Sequence, residues 1–151
     1  MNILAIDPGE LKSGYVIWNP IDEIIVSKGI LENIELLNII LKGQYDCAFV
    51  EMVASYGMSV GKNIFETVVW IGRFIQCADI RCKDIGKVYR KDVKMHLCHT
   101  MKAKDSNIRQ ALIDRFGPPG VKKAPGKLYK VRSHEWAALA VAVYSGDIRK
   151  R

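Results

Sequence analysis

Asn2-Ile3-Leu4-Ala5-Ile6-Asp7, followed at once by Pro8-Gly9, is the stretch on which the reading of this chain turns. Four apolar residues in a row suit a short strand covered on both faces. Pro8 cannot donate to a strand ladder and Gly9 suits a turn, so the run stops there, on an acid. Asp46-Cys47-Ala48-Phe49-Val50-Glu51 repeats the pattern: an apolar run that closes on a carboxylate. If the two strands lie parallel and adjacent, both acids reach one carboxyl edge, where open α/β sheets place their ligands.

Working outward, residues 14–18 and 24–30 read as two further strands, rich in Val, Ile and aromatics. The short turns around 10–13 and 19–23 make an antiparallel meander of the first three strands. Residues 33–41 have helical spacing at Ile34, Leu37 and Leu41. A right-handed crossover through that helix lets 46–51 lie parallel to the first strand. A long helix is expected over 60–78, striped by Ile64, Val68, Ile71 and Ile75. A short strand at 86–89 follows, then helices at 90–99 and 105–116. A basic Gly/Pro-rich loop spans 117–132, and a last helix covers 133–147. The order β-β-β-α-β-α-β-α describes one α/β domain over 1–151, a mixed five-stranded sheet with helices on both faces. That is the ribonuclease H-like architecture.

The chain has 151 residues and a formal net charge of +7, unevenly spread. Residues 1–51 hold three Lys and eight acids, whereas 83–132 hold fourteen basic residues and four acids. Such a field attracts polyanions, nucleic acid above all. The four cysteines, Cys47, Cys77, Cys82 and Cys98, form no CxxC pair. With His96 and His99 they match no finger or ribbon spacing, so free thiols in a reducing cytoplasm are expected, and no zinc. The N-terminus lacks the basic and long apolar regions of a secretory leader. The longest apolar run, 136–144, is far short of the roughly 20 residues of a membrane helix. A cytoplasmic protein with no membrane contact is expected.

Two carboxylates brought close repel, which raises a pKa unless a cation sits between them. Oxygen ligands favour Mg²⁺ or Mn²⁺ over zinc. Two such ions can flank a scissile phosphate, one activating water and one stabilising the leaving oxygen. For either acid alone, a solubilising strand end is the simpler account. The pair, with Pro8-Gly9 allowing close approach, reads as a site.

Ile6-Asp7-Pro8-Gly9, the strand end Val50-Glu51, and a terminal helix opening at His134 with Ala137-Ala138-Leu139-Ala140-Val141-Ala142 together resemble the RuvC-type Holliday-junction resolvases, phage and prophage members most closely. Ser55-Tyr56-Gly57-Met58 and the run from Lys104 to Leu112 extend the likeness, in order, along nearly the whole chain. The resemblance implies a homodimer that nicks opposed strands of branched DNA, acting in recombination or repair. It implies Mg²⁺, replaceable by Mn²⁺, with two ions per site, metal-activated water and ligatable 5′-phosphate ends. Asp7 and Glu51 match the first two metal ligands and His134 the third. The fourth is usually an Asp one helical turn later, where this chain has Ala137.

Asp105, opening its helix, is either the missing catalytic acid or an N-cap. Glu135 neighbours His134, but one residue turns about 100° around a helix, so the two face different ways. Glu66 lies mid-helix, loosely opposite Arg73. The apolar face continuing from Ala137 aims His134 at the sheet edge, as ligand or general base. Lys87, Arg90, Lys91 and Lys94 form one basic group, Lys102, Lys104 and Arg109 a second, and Lys122, Lys123, Lys127, Lys130 and Arg132 a third; converging, they would make a phosphate track. Tyr56 and Met58 are placed to wedge between bases. The 60–78 helix is apolar on more than one face, which suggests a subunit interface. Three rivals stand beside a junction-resolving endonuclease. One is another ribonuclease H-like nuclease acting on RNA or RNA–DNA hybrid, one a catalytically weak junction-binding dimer, and one an actin-like ATPase, for which the chain is too short.

Overall fold

Apolar runs of four to six residues form strands here because both faces of the sheet are covered. The computed structural model describes residues 1–149. β1 (Ile3–Asp7) runs antiparallel to β2 (Lys12–Asn19), which pairs antiparallel with β3 (Ile24–Glu32). α1 (Asn33–Lys42) leads to β4 (Cys47–Met52), parallel to β1, and α2 (Lys62–Asp79) leads to β5 (Ile85–Tyr89), parallel to β4. The sheet order is β3-β2-β1-β4-β5. α3 (Arg90–Cys98) and α4 (Asp105–Phe116) follow, then a small hairpin of β6 (Gly120–Val121) and β7 (Ala124–Pro125), and α5 (Glu135–Arg149). The expected ribonuclease H-like mixed sheet is present.

Strand alternation divides the core in two. Leu4, Ile6, Tyr15, Ile17, Ala48 and Val50 face α1 and α2, where they meet Leu36, Ile40, Ile71 and Phe74. Ala5, Val16, Trp18 and Val88 face the other way, onto α5, with α4 contributing Ile108 and Leu112. α5 is buried nearly all round, from Ala138 through Val143. Its small side chains let it lie close against the sheet.

A buried polar network fixes the turn after β1. The Ser13 hydroxyl accepts from the Gly9 N–H at 3.1 Å and donates to Asn33 Oδ1 at 2.6 Å. Asn33 Nδ2 donates to the Gly9 carbonyl at 2.8 Å, and its own N–H reaches the Leu11 carbonyl at 2.9 Å. Both side chains are buried, so each bond is made in a low-dielectric setting and holds the Asp7-Pro8-Gly9 turn in one shape.

Three expectations change. The stripe read along α2 is rotated: Thr67, Ile71, Phe74, Cys77 and Ala78 are buried, while Val68 is exposed. Thr67 can lie inside because its hydroxyl donates to the Asn63 carbonyl at 2.8 Å. The last helix starts at Glu135, and His134 stands just before it, its carbonyl accepting the Ala138 N–H at 3.1 Å. The basic loop carries the β6–β7 hairpin. Among the described residues the four cysteines are free thiols, and no helix is long and apolar enough to cross a membrane.

Candidate active site

Parity sets which way the acids point. Ala5 faces α5, so Asp7, two residues on, does too; Phe49 packs on the α5 side, which places Glu51 there as well. The parallel register pairs Ile6 with Val50, bringing the next residues, Asp7 and Glu51, side by side on strands about 4.8 Å apart. On β5, Val88 faces α5, and Arg90, two further, continues onto that face as α3 begins.

His134 reaches the same spot from the start of α5. Its Nδ1 and Asp7 Oδ2 are hydrogen-bonded at 2.8 Å. That approach depends on Gly14, the cross-strand partner of Asp7. A Cβ at Gly14 would lie 2.7 Å from the His134 carbonyl oxygen and 2.8 Å from its Cβ, closer than real contacts allow. Glycine at 14 is therefore what lets the helix start touch the sheet.

Across the cleft, Arg90 Nη1 lies 3.3 Å from Glu51 Oε1 and 3.4 Å from Oε2, and Nη2 is bonded to Asp105. Side-chain exposure grades outward, from 12% at Glu51 and 16% at Asp7 through 26% at Arg90 to 83% at Asp105. The cleft, about 520 Å³, is lined by all four of these residues together with His134 and Ala137. A smaller one of about 260 Å³ adjoins it, sharing Asp7, Glu51 and Arg90 and reaching Tyr56.

Burial raises the pKa of both strand-end acids. For Asp7 the hydrogen bond to His134 and the nearby Arg90 pull the other way, without winning. Glu51 is pushed up to about 7, by burial first, against the pull of Arg90 and with a further push from Asp7. Burial works against the charge on Arg90, yet Glu51 and Asp105 outweigh it and hold its pKa above the ordinary value. The site is short of positive charge.

The four residues singled out as catalytic, Asp7, Glu51, His134 and Asp105, all line this one cleft. Asp105 is not the N-cap: Lys104 holds that position, its N–H donating to Asn107 Oδ1 at 2.8 Å. Glu135 turns away into the protein, where it takes Lys28 Nζ and the Arg132 N–H, each at 2.9 Å. Glu66 is exposed on α2, outside the site. Tyr56 and Met58 are exposed in a tight turn closed by the Met58 N–H on the Ser55 carbonyl at 2.9 Å, with positive φ at Tyr56 and Gly57.

The basic groups divide. Lys102 and Lys104 are exposed just before Asp105, and Arg109 lies over the ring of Trp136, which lines the cleft, at 4.8 Å. The third group is split: Arg132 immediately precedes the cleft-lining Ser133 and His134, while Lys122, Lys123 and Lys127 lie elsewhere. Lys127 is paired with Glu23 at 3.0 Å, in the turn between β2 and β3, at the opposite end of the sheet from Asp7. The loop carrying Lys122 and Lys123 leaves α4 at Phe116, whose ring packs on Trp18 at that same end. Sequence reasoning placed Arg90 among the DNA contacts and missed its place between the acids. The alternation of Gly86, Val88 and Arg90 was the available signal.

No family model and no curated protein matches the chain. Solved structures do. RuvC from Thermus thermophilus is 15% identical, with a TM-score of 0.71 over 99% of this chain and 96% of that one. T. thermophilus RuvC in complex with a Holliday junction substrate is 16% identical, with the same TM-score and coverage. Two structural neighbours of this protein are thus the Holliday-junction resolvase RuvC, and over 99% of the chain its fold is the ribonuclease H-like fold in the form RuvC takes.

Proposed function

We propose that the protein is a structure-selective endonuclease that resolves four-way and other branched DNA by paired, metal-dependent nicks. The observation that carries this is the pairing of Asp7 with Glu51 at the carboxyl edge of a RuvC-type fold, His134 beside them in one open cleft. The strongly basic C-terminal two thirds of the chain supplies the attraction for DNA.

The donor chemistry fits a hard divalent cation. Two buried carboxylates with raised pKa values are relieved by an ion held between them. Among the described residues no three His, Cys, Asp or Glu side chains converge into a preformed cage, so the pair would be completed by water. Asp7 and Glu51 would hold Mg²⁺ or Mn²⁺, with His134 beside the ion rather than on it. Bound there, the cation supplies Lewis acidity toward a phosphate oxygen. Asp7 fixes the imidazole through Nδ1, which leaves Nε2 for a proton of the attacking water.

A homodimer belongs to the same proposal. Phe65 and Val69 on α2 and Ile80 just past its end are exposed, and Leu37, Leu41 and Val69 line an apolar groove between α1 and α2. Two copies pairing there would match the two-fold symmetry of a four-way junction.

Two observations favour a second reading, a dimer that binds junctions and cuts weakly: Ala137 lines the cleft where the family resemblance implies a fourth acid, and Arg90 already occupies Glu51. Incubating the full chain with a synthetic four-way junction in Mg²⁺, Mn²⁺ or chelator separates the two. Metal-dependent symmetric nicks support the endonuclease. Tight binding with no nicks in either metal supports the binder, and cutting confined to RNA–DNA hybrid removes both.

A further inference from the structure

We infer that Arg90 is a built-in cation that claims Glu51 and Asp105, acids a second divalent ion would need, so that the site takes one ion, between Asp7 and Glu51. The inference rests on the metal-site reading above and fixes the number of ions. Three observations support it.

The first is placement. Arg90 is the first residue of α3, and the strand before it is paired with β4, Tyr89 opposite Met52. Val88 is the partner of Glu51, so Arg90 starts two residues past it, and its guanidinium reaches back to span both Glu51 oxygens and Asp105. A guanidinium keeps its charge at any working pH, and its planar fork matches carboxylate geometry.

The second is donor supply. An ionised carboxylate offers about four lone-pair positions, so Glu51 can serve Arg90 on one side and an ion on the Asp7 side. A second ion needs oxygen donors of its own. Asp105 is tied to Arg90, Ala137 offers a methyl group, and His134, its Nδ1 engaged by Asp7, offers no oxygen.

The third is charge. Three carboxylates face the cleft against one guanidinium, an imbalance equal to the charge of a single divalent ion. A second ion would have to be balanced by the phosphate alone.

The test is a Mn²⁺ titration of the full chain without DNA, followed by the electron paramagnetic resonance signal of free Mn²⁺. The wild-type protein should bind one Mn²⁺ per chain. Arg90→Gln should bind a second, or bind the first roughly tenfold more tightly; Arg90→Lys, which keeps the charge, should stay at one. Two ions per wild-type chain, or a folded Arg90→Gln identical to wild type in count and affinity, would overturn the inference. If Arg90→Gln does not fold, the wild-type and Arg90→Lys counts decide. Failure of the underlying metal site has a different signature: no saturable binding by the wild type, or Glu51→Gln binding Mn²⁺ as the wild type does.

Discussion

Two charged clusters sit on α5, at its two ends, and their charge balance is opposite. At the start, Asp7, Glu51 and Asp105 face one guanidinium and one imidazole. At the end, the single carboxylate of Asp147 takes Arg115 through both nitrogens, at 2.5 and 2.8 Å, and His96 at 2.7 Å. The second cluster joins α3, α4 and α5 and is complete. Burial pushes the Asp147 carboxyl up, but Arg115 and His96 outweigh it and hold the pKa below the usual range. At the sheet edge burial wins, and Glu51 rises to about 7. The same residue types tie helices together when cations match acids, and leave carboxylates short of partners when acids are in excess.

The sharpest way to break this comparison is to remove the excess acid. Asp7→Asn or Glu51→Gln should lower junction cleavage by roughly a thousandfold or more, with binding held or tightened, since a negative charge facing phosphate is removed. Gel-shift and cleavage assays on one junction check both halves. Next comes Gly14→Ala, which has no charge at all. Its methyl group meets His134 backbone, so cleavage should fall roughly a hundredfold as the imidazole moves off Asp7. Stability should drop by about 1–3 kcal/mol in urea titration. Unchanged cleavage would show that His134 need not touch Asp7.

Asp147→Asn should do the reverse of the active-site variants. It should cost about 2 kcal/mol of stability and leave cleavage by the folded protein intact. A cleavage loss like that of Glu51→Gln would erase the distinction between the clusters.

The clusters should also answer pH with opposite sign. Folding raises the Glu51 pKa, so the folded state holds that proton more tightly than the unfolded chain does. The metal-free protein should therefore lose up to about 3 kcal/mol as pH rises from about 4.5 through about 7. Glu51→Gln should flatten that fall. Folding lowers the Asp147 pKa, so its contribution is present above about 3.8 and is lost as pH drops below it. Asp147→Asn should flatten only that acid limb. Urea midpoints across the pH range, with chelator present, read both.

The smallest effect concerns the basic groups. Lys104→Ala with Arg109→Ala, beside the cleft, should reduce the salt slope of junction binding by about 1 for each phosphate no longer neutralised. Lys122→Ala with Lys123→Ala, on the loop anchored at the far end of the sheet, should leave it unchanged. Equal slopes for the two pairs would mean that DNA covers both ends of the molecule.

Much of this was legible in the residues themselves. Asp7 and Glu51 could be read as neighbours because each closes an apolar run of one period, and a helix between them permits a parallel pairing. His134 could be read as facing inward from the apolar residues one and two turns later. The α2 stripe was misplaced because Phe65, Val68, Val69 and Ile75 make that helix apolar on several sides, so periodicity alone could not choose which side meets α1 and the sheet. Where the third basic group lies could not be read, because loop composition carries no information about where a loop is anchored.

The sequence by itself determined the strand and helix periods, the acids at two strand ends and the basic half of the chain. These are local properties, written within a few residues of one another. Only the tertiary structure decided that Arg90 spans Glu51 and Asp105, that Gly14 admits His134 to Asp7, and that Lys127 belongs to Glu23. Partners 39 and 127 residues apart, such as Glu51 with Arg90 and Asp7 with His134, meet only once the sheet has closed and the helices have packed on it. Which charge neutralises which is then set by distance in space, and that is what separates a structural ion cluster from a site with acid to spare.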